Sequence, residues 1–169
     1  STCLTLEYPT ADVDRRTLYV TATSGSFTPG EVEGITAGAF VIGPSIRGEV
    51  PLAVIDEIKK KNSFISLDVQ GYIRVVREDG VLESAPWPEK EEVLSRADVV
   101  KTDAVEAEFL TGESDIRRAA KCLAAHGPRE IVLTHRDGLL VYDGQAYHEA
   151  GFHPEKLVGR SGRGDTVIA

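Results

Sequence analysis

The sequence contains no methionine and only two cysteines, and both shortages limit what the protein can be. Cys3 and Cys122 are far apart and form no CxxC pair, which argues against a disulfide framework or a cysteine-based zinc site. We expect them to be reduced thiols that pack as small buried apolar side chains. The absence of methionine even at position 1 suggests an internal piece of a longer protein.

Long apolar runs and an excess of positive charge are also missing. With 19 Lys and Arg against 27 Asp and Glu, the net charge is −8, which repels nucleic-acid backbones and anionic membranes. No apolar run approaches the length of a membrane span, and the first ten residues lack the order of a signal peptide. The sequence predicts a soluble cytoplasmic protein that binds neither nucleic acid nor membrane.

Two common functional motifs are absent as well. No Gly-Lys-Ser/Thr follows the glycines near the end of the chain, which excludes a Walker A loop. The four histidines lack zinc-site spacing, so no transition-metal site is expected; they are His126, His135, His148 and His153. Trp87, flanked by two prolines, is interpreted as a packing anchor rather than a base-stacking platform.

Short β-rich segments alternate with amphipathic segments along the chain. Strands are predicted at 17–23, 38–44, 63–69, 98–102 and 130–134, and helices at 51–61, 88–97, 104–112 and 114–127. The last helix is predicted to be capped by Ser114 and ended by Gly127, and Asp143-Gly144 to form a hairpin turn. This pattern predicts a single α/β domain over residues 1–169, with a mostly parallel sheet covered on both faces.

In such a sheet the ligand site lies beyond the carboxyl ends of the strands. That rule selects four polar stretches as candidate site segments. They are residues 68–74, 101–106, 134–138 and the closing loop at 159–165.

The closing loop has the composition of an anion site. Gly159, Gly162 and Gly164 allow backbone amides to converge on one point, and a helix that begins at "GDTVIA" would add the positive end of its dipole. Asp165 beside that point could take a proton from a hydroxyl nucleophile, which is the chemistry of a kinase. An alternative of equal weight is that Asp165 only caps a helix and the glycines form a flexible connection.

Four segments, in order, resemble the signatures of the PfkB carbohydrate kinases, the ribokinase-like family. "GRGD" at 162–165 resembles the end of D-T-x-G-A-G-D, and "VVKTDAVEAEFLTG" is similar to the K-P-N-x-x-E segment. "IVLTHRDGLLVYDG" resembles the nucleotide-loop stretch. "ISLDVQGYIRVV" resembles the strand that ends in D-x-x-x-x-x-R, in a form typical of archaeal members and of the myo-inositol kinase branch.

The resemblance implies a ribokinase-like three-layer sandwich, incomplete at both ends, that uses ATP and Mg²⁺. It implies that Asp165 is the catalytic base and that the backbone amides of Gly162, Arg163 and Gly164 form the anion hole. The other implied positions are nucleotide contacts at Lys101, Asp103, Thr134, Arg136 and Gly138, substrate contacts at Asp68, Gln70 and Arg74, and a water-mediated Mg²⁺ contact at Glu106.

The sequence departs from the family pattern at three places. Gly159 stands where the family has its first Asp, and Arg163 stands where it has Ala, so this loop carries extra positive charge. Asp103 replaces the usual Asn, which favours contact to phosphate through a metal. The nucleotide loop "THRDG" is one residue shorter than the family pattern.

Two functional hypotheses stay open. The first is a phosphotransferase with an alcohol group as acceptor, acting on a small sugar or polyol, with myo-inositol preferred over a furanose sugar or a nucleoside; a homodimer is compatible with it. The second is a non-catalytic nucleotide-binding or interaction domain of the same fold. Under the second, Asp103 would only cap a helix, and Glu106 and Glu108 would form its solvated face.

Overall fold

The computed structural model describes residues 1–10 and 16–152. In this part of the chain the strands are β1 Cys3–Glu7, β2 Thr17–Ala22, β3 Ala39–Ile42, β4 Phe64–Asp68, β5 Arg74–Val76, β6 Leu82–Ser84, β7 Val99–Asp103, β8 Glu130–Thr134, β9 Gly138–Tyr142 and β10 Tyr147–Gly151. The helices are α1 Pro29–Glu33, α2 Leu52–Lys59, α3 Gln70–Ile73, α4 Lys90–Leu94, α5 Ala104–Thr111 and α6 Ile116–Ala124.

A six-stranded sheet in the order β10-β9-β8-β7-β4-β3 forms the centre of the fold. Strands β3, β4, β7 and β8 are mutually parallel, and β9 and β10 add an antiparallel hairpin. The predicted mixed α/β fold with a mostly parallel sheet is therefore confirmed. Asp68, Lys101 and Thr134 lie at the carboxyl ends of β4, β7 and β8 on one edge, as predicted; we call it the carboxyl edge.

The described core lies on one face of this sheet. Leu67, Val100 and Ile131 share a row across β4, β7 and β8, and they pack with the buried residues of α2, α4, α5 and α6. Val99 and Val132, whose side chains alternate to the other face, do not belong to that cluster. The described residues thus supply two of the three layers that the family resemblance implies.

Local sequence signals explain where the helices begin and end. Helix α5 begins at a capping box and ends at Gly112, whose φ of 76° is the left-handed conformation that favours glycine. For α6 the prediction of Ser114 as N-cap was wrong by one residue. The N-cap is Asp115, whose carboxylate accepts from the Arg118 amide at 2.8 Å and complements the positive end of the helix dipole.

Four short strands lie beside the carboxyl edge, apart from the central sheet and its helices. The hairpins β1–β2 and β5–β6 are joined by a bridge between Tyr19 and Val81 and by a 2.9 Å hydrogen bond from the Val20 amide to the Gly80 carbonyl. We call these four strands the small β-layer. Behind them, Tyr72 stacks on Trp87 with ring centroids 4.5 Å apart, so Trp87 is the packing anchor that its sequence context predicts.

The prediction that the two cysteines are buried was wrong. Both are unpaired and exposed. Cys3 begins an edge strand of a two-stranded sheet, and Cys122 lies on the outer face of α6, whose buried positions are Ala119, Ala120 and Leu123. Among the described residues, no helix is long and apolar enough to cross a membrane.

Gly71 provides a test of how closely α3 packs against the end of β3. A Cβ atom built at Gly71 would lie 1.9 Å from the Pro44 carbonyl oxygen, so Gly71→Ala should destabilise the fold by about 1–3 kcal/mol or more. Gly30→Ala in α1 is the control, since a Cβ there meets nothing within 4 Å. Urea unfolding of both variants measures the difference, and equal stabilities would contradict the packing described here.

Candidate functional site at the carboxyl edge

A buried ion pair joins the ends of β4 and β7. The Lys101 ammonium donates to Asp68 Oδ2 at 2.8 Å, and both side chains are almost completely buried. The other oxygen of Asp68 accepts from the Gln70 amide at 3.0 Å, which fixes the first turn of α3. Asp68 is thus fully engaged by its neighbours, and Lys101 does not project beyond the edge.

Two carboxylates, Asp103 and Glu106, lie where β7 ends and α5 begins. Asp103 Oδ1 accepts from the Glu106 amide at 2.8 Å, and Glu106 Oε2 accepts from the Asp103 amide at 2.9 Å. Burial, followed by the charge of Asp103, raises the pKa of Glu106 to about 7. Asp103 therefore does cap a helix, and Glu108 is exposed, whereas the alternative of a solvated Glu106 was wrong.

Arg74 completes the charged cluster. Its guanidinium is half-buried, and desolvation lowers its pKa while Glu106, Asp68 and Asp103 act in the opposite direction. Among the described residues it makes neither a hydrogen bond nor an ion pair. Because Asp68 is already neutralised by Lys101, Arg74 is a cation with an unsatisfied demand for an anionic or strongly polar partner.

Arg74 lines a cleft between the small β-layer and the carboxyl edge. This edge cleft has a volume of about 470 Å³, and its lining residues are Leu4, Val41, Gly43, Pro44, Ser45, Asp68, Gln70 and Arg74. All three predicted substrate contacts thus lie around one opening. A cleft with apolar walls and a few uncommitted polar groups is the usual form of a small-molecule site.

A larger depression, of about 660 Å³, lies at the other end of β8. It is an open groove between the end of α6 and the β9–β10 turn, lined by residues that include Lys121, Arg129 and Asp143. The predicted site residues that the structure describes do not line it. We base the functional assignment on the edge cleft because the chemistry-bearing side chains converge there.

Parts of both walls of the edge cleft were not predicted from the sequence. The segment Gly43, Pro44 and Ser45 follows β3 at the carboxyl edge, and the facing wall is formed by Leu4 of β1. The strand-end rule that selected the other segments also applies to β3, so the Gly-Pro pair after an apolar run was the available signal. No pattern in the sequence marks Leu4.

The predicted nucleotide contacts after β8 lie at the same edge. Thr134 is buried opposite Asp103, and Arg136 is exposed with no hydrogen bond or ion pair among the described residues. Gly138 has a packing role, because a Cβ there would lie 2.2 Å from the Ala150 carbonyl oxygen of the adjacent strand. Their roles in binding a nucleotide stay predictions.

The closing loop lies outside the described residues. This applies to Gly162, Arg163, Gly164 and Asp165, the predicted anion hole and catalytic base. Strand β10 runs parallel to β8, so Phe152 lies at the carboxyl edge, where its amide donates to the Asp137 carbonyl at 2.9 Å. The described chain therefore ends at the same edge as the candidate site.

The carboxylates fit a magnesium ion that keeps most of its water. The described residues contain no cluster of three or more side chains able to chelate a metal directly. Asp103 and Glu106 each use one oxygen in the capping box, which leaves the second oxygen of each for water-mediated contact. Mg²⁺ commonly binds in this way, through one or two carboxylates and several waters.

The buried ion pair predicts an asymmetric response to substitution. Asp68→Asn removes the carboxylate that pairs with the buried Lys101 ammonium, which should cost about 3–5 kcal/mol of stability. The double variant Asp68→Leu/Lys101→Met should recover much of that loss. Asp56→Asn, which breaks a partly exposed pair with Arg96, serves as the control and should cost less than about 1 kcal/mol. Equal losses in urea unfolding would show that the buried pair is not special.

The raised pKa of Glu106 predicts a pH-dependent stability. The folded protein holds this proton more tightly than the unfolded chain, so stability should fall as pH rises from about 4.5 to about 7. Glu106→Gln keeps the helix cap, and in this variant the decrease in the free energy of unfolding over that pH range should be smaller by roughly 3 kcal/mol. Glu108→Gln is the exposed control on the same helix. Urea unfolding against pH in EDTA compares the three proteins, and superimposable profiles would refute the assignment.

Comparison with known proteins relates the chain to solved kinase structures. The chain is similar to the solved structure of a pyrophosphate-dependent kinase of the ribokinase family in complex with sulfate, with 35% identity, a TM-score of 0.89 and coverage of 98% of this chain and 58% of that one. A pyrophosphate-dependent ribokinase-family kinase bound to a pyrophosphate analogue and myo-inositol gives 34% identity, a TM-score of 0.87 and coverage of 98% and 57%.

A curated relative is the cytidine kinase of Thermococcus kodakarensis, 28% identical over 136 residues, which are 79% of this chain and 46% of that protein. No protein-family model matches the chain. The chain spans about half the length of these relatives. The chain has a ribokinase-like fold, and these similar solved structures are kinases of the ribokinase family.

Proposed function

We propose that the protein transfers a phosphoryl group from a phosphoanhydride donor to a hydroxyl group of a small sugar or polyol. The observation that carries this proposal is the edge cleft, in which Gln70 and the unpaired Arg74 face an opening beside the Asp103–Glu106 carboxylates. Polyols need several hydrogen-bonding groups around a compact site. Ser45, Gln70 and Arg74 offer such groups, because none of their side chains is engaged elsewhere among the described residues.

In this mechanism the protein's own groups position the acceptor and move one proton. Gln70 and Arg74 orient the hydroxyl, Asp165 accepts its proton, and the backbone amides of Gly162 to Gly164 stabilise charge on the phosphoryl oxygens. A hydrated Mg²⁺ near Asp103 and Glu106 would neutralise the donor phosphates.

The location of β10 supports the part played by the closing loop. From Phe152 the chain must pass four strand spacings, about 19 Å, to reach the end of β4. Residues 153–164 can span up to about 40 Å when extended. Asp165 is therefore within reach of the edge cleft from where the described chain ends.

The donor is proposed to be ATP or pyrophosphate. The sequence resemblance implies ATP, whereas two similar solved structures are pyrophosphate-dependent kinases. Both donors present the same terminal phosphoanhydride to an anion hole. They differ in the AMP portion of ATP, for which the proposed contacts lie in the short loop at Arg136.

Acceptor preference is proposed to favour myo-inositol. The "LDVQGYIR" segment that carries the resemblance contributes Asp68, Gln70 and Arg74 to the edge cleft, and a similar structure contains myo-inositol. The curated cytidine kinase relative makes nucleosides the second acceptor class to be tested.

Substitution of the proposed base tests the mechanism. In the full polypeptide that the gene encodes, Asp165→Asn should lower kcat by roughly 10²- to 10⁴-fold and leave donor affinity nearly unchanged. Arg163→Ala should instead weaken donor binding or kcat while the base remains. The control is Asp79→Asn, an exposed carboxylate in the β5–β6 turn.

The assay combines ATP or pyrophosphate with myo-inositol, fructose, ribose and cytidine. Turnover that survives in Asp165→Asn would exclude Asp165 as the base. If the wild-type protein binds a donor but turns over no acceptor, the result contradicts the kinase proposal and favours a non-catalytic nucleotide-binding domain.

A further inference from the structure

Glu49 is a buried carboxylate in the segment between β3 and α2, with 7% of its surface exposed. Its Oε2 accepts hydrogen bonds from the Ser45 amide at 2.6 Å and from the Ile46 amide at 3.4 Å. Its Oε1 accepts from the Thr2 hydroxyl and, at 3.5 Å, from the Ser24 hydroxyl. Within the described part of the chain no cation pairs with it, so neutral donors alone stabilise this carboxylate.

These donors come from the two opposite walls of the edge cleft. Ser45 lines the cleft on the side of the central sheet. Thr2 directly precedes β1, whose Leu4 lines the cleft on the side of the small β-layer. Oε2 of Glu49 therefore bonds to the wall that contains Ser45, and Oε1 bonds to the wall that contains Leu4, through Thr2.

Neighbouring hydrogen bonds reinforce the same connection. The Ser24 amide donates to Thr2 Oγ1 at 3.0 Å, and the Phe27 amide donates to the Glu49 carbonyl at 2.7 Å. The chain that leaves β2 is thus tied to the start of β1 and to the backbone of Glu49. Glu49 itself does not line the edge cleft and acts through Ser45 and Leu4.

We propose that Glu49 is a positioning residue that sets the separation of the small β-layer from the carboxyl edge and thereby the affinity for the acceptor. This inference rests on the proposed kinase function for its kinetic consequence. The structural coupling between the two walls does not depend on which reaction the site performs.

A carboxylate is suited to this task because it is only an acceptor. The Ser45 and Ile46 amides can only donate, so a glutamine at this position would keep its carbonyl oxygen toward them and turn its NH₂ group toward the Thr2 and Ser24 hydroxyls, which would then have to accept. Hydrogen bonds to a charged group are stronger than neutral ones, and a donor left unpaired in a buried site carries a further cost. Glu49→Gln should therefore loosen one wall with little change in volume.

The kinetic test uses the full polypeptide. Glu49→Gln should raise the KM for the acceptor by about tenfold, with the donor KM changed by less than about twofold. Thr2→Val removes the bond between Glu49 and the small β-layer, together with the Ser24 bonds to the same hydroxyl, and should shift the acceptor KM in the same direction. Thr2→Ser keeps the hydroxyl, so its acceptor KM should stay close to that of the wild type. Glu31→Gln, an exposed capping-box carboxylate on α1, is the control.

Amide hydrogen exchange provides a readout that is independent of activity. In Glu49→Gln the amides of β1 and of Ser45–Ile46 should exchange faster than in the wild type, while those of β7 and β8 should not change. Thr2→Val should affect β1 in the same way, and Thr2→Ser should not; this pair decides the matter if Glu49→Gln fails to fold.

Unchanged exchange in β1 in both Glu49→Gln and Thr2→Val would overturn the proposal. So would an equal rise of the acceptor and donor KM values, which is the result expected of a residue that only stabilises the fold. If the wild-type protein turns over no acceptor, the proposed function fails on its own, and the exchange experiment still decides whether Glu49 couples the two walls.

Discussion

The charge balance of the carboxyl edge depends on the ion pair between Asp68 and Lys101. Parallel strands bring their carboxyl ends to one edge, and this sheet places an acid on β4 beside a lysine on β7. Since each neutralises the other below the surface, Arg74 is the charged side chain of the edge cleft that makes no ion pair among the described residues. The Asp103–Glu106 cap lies next to it, and burial, together with the charge of Asp103, raises the pKa of Glu106 to about 7. Within the described part of the chain, the site thus combines the Arg74 guanidinium, which makes no ion pair there, with a carboxylate pair whose charge responds to its surroundings.

The fold was predictable from the sequence where the signal is local. Short β-rich apolar runs predicted the parallel strands, and Asp143-Gly144 predicted the β9–β10 turn. Rules of the same kind failed by one residue at Asp115, because Ser114 and Asp115 are both good caps and the backbone decides between them. They also failed for the two cysteines, whose exposure depends on which side of a strand or helix faces the core.

Some residues of the candidate site could be predicted from local sequence signals and others could not. Asp68, Gln70 and Arg74 could be assigned to one cleft because a strand end and a short helix place them there. Glu49 could not be identified from the sequence, since its partner Thr2 lies 47 residues away and a lone glutamate before Val-Pro carries no pattern. Leu4 could not be identified for the same reason, because the small β-layer reaches the sheet through tertiary packing between segments that are distant in sequence. The closing loop, from which Asp165 was predicted, lies outside the described residues, and its role stays a prediction.

The two exposed thiols make the molecule convenient for spectroscopy. Cys3 belongs to the small β-layer and Cys122 to the outer surface of the main α/β body, and the chain has no other cysteine. A pair of dyes or spin labels attached to the natural residues would therefore report the distance between the two layers without any engineered site. Movement of the small β-layer when a ligand enters could be followed in this way in real time, in the unmodified sequence.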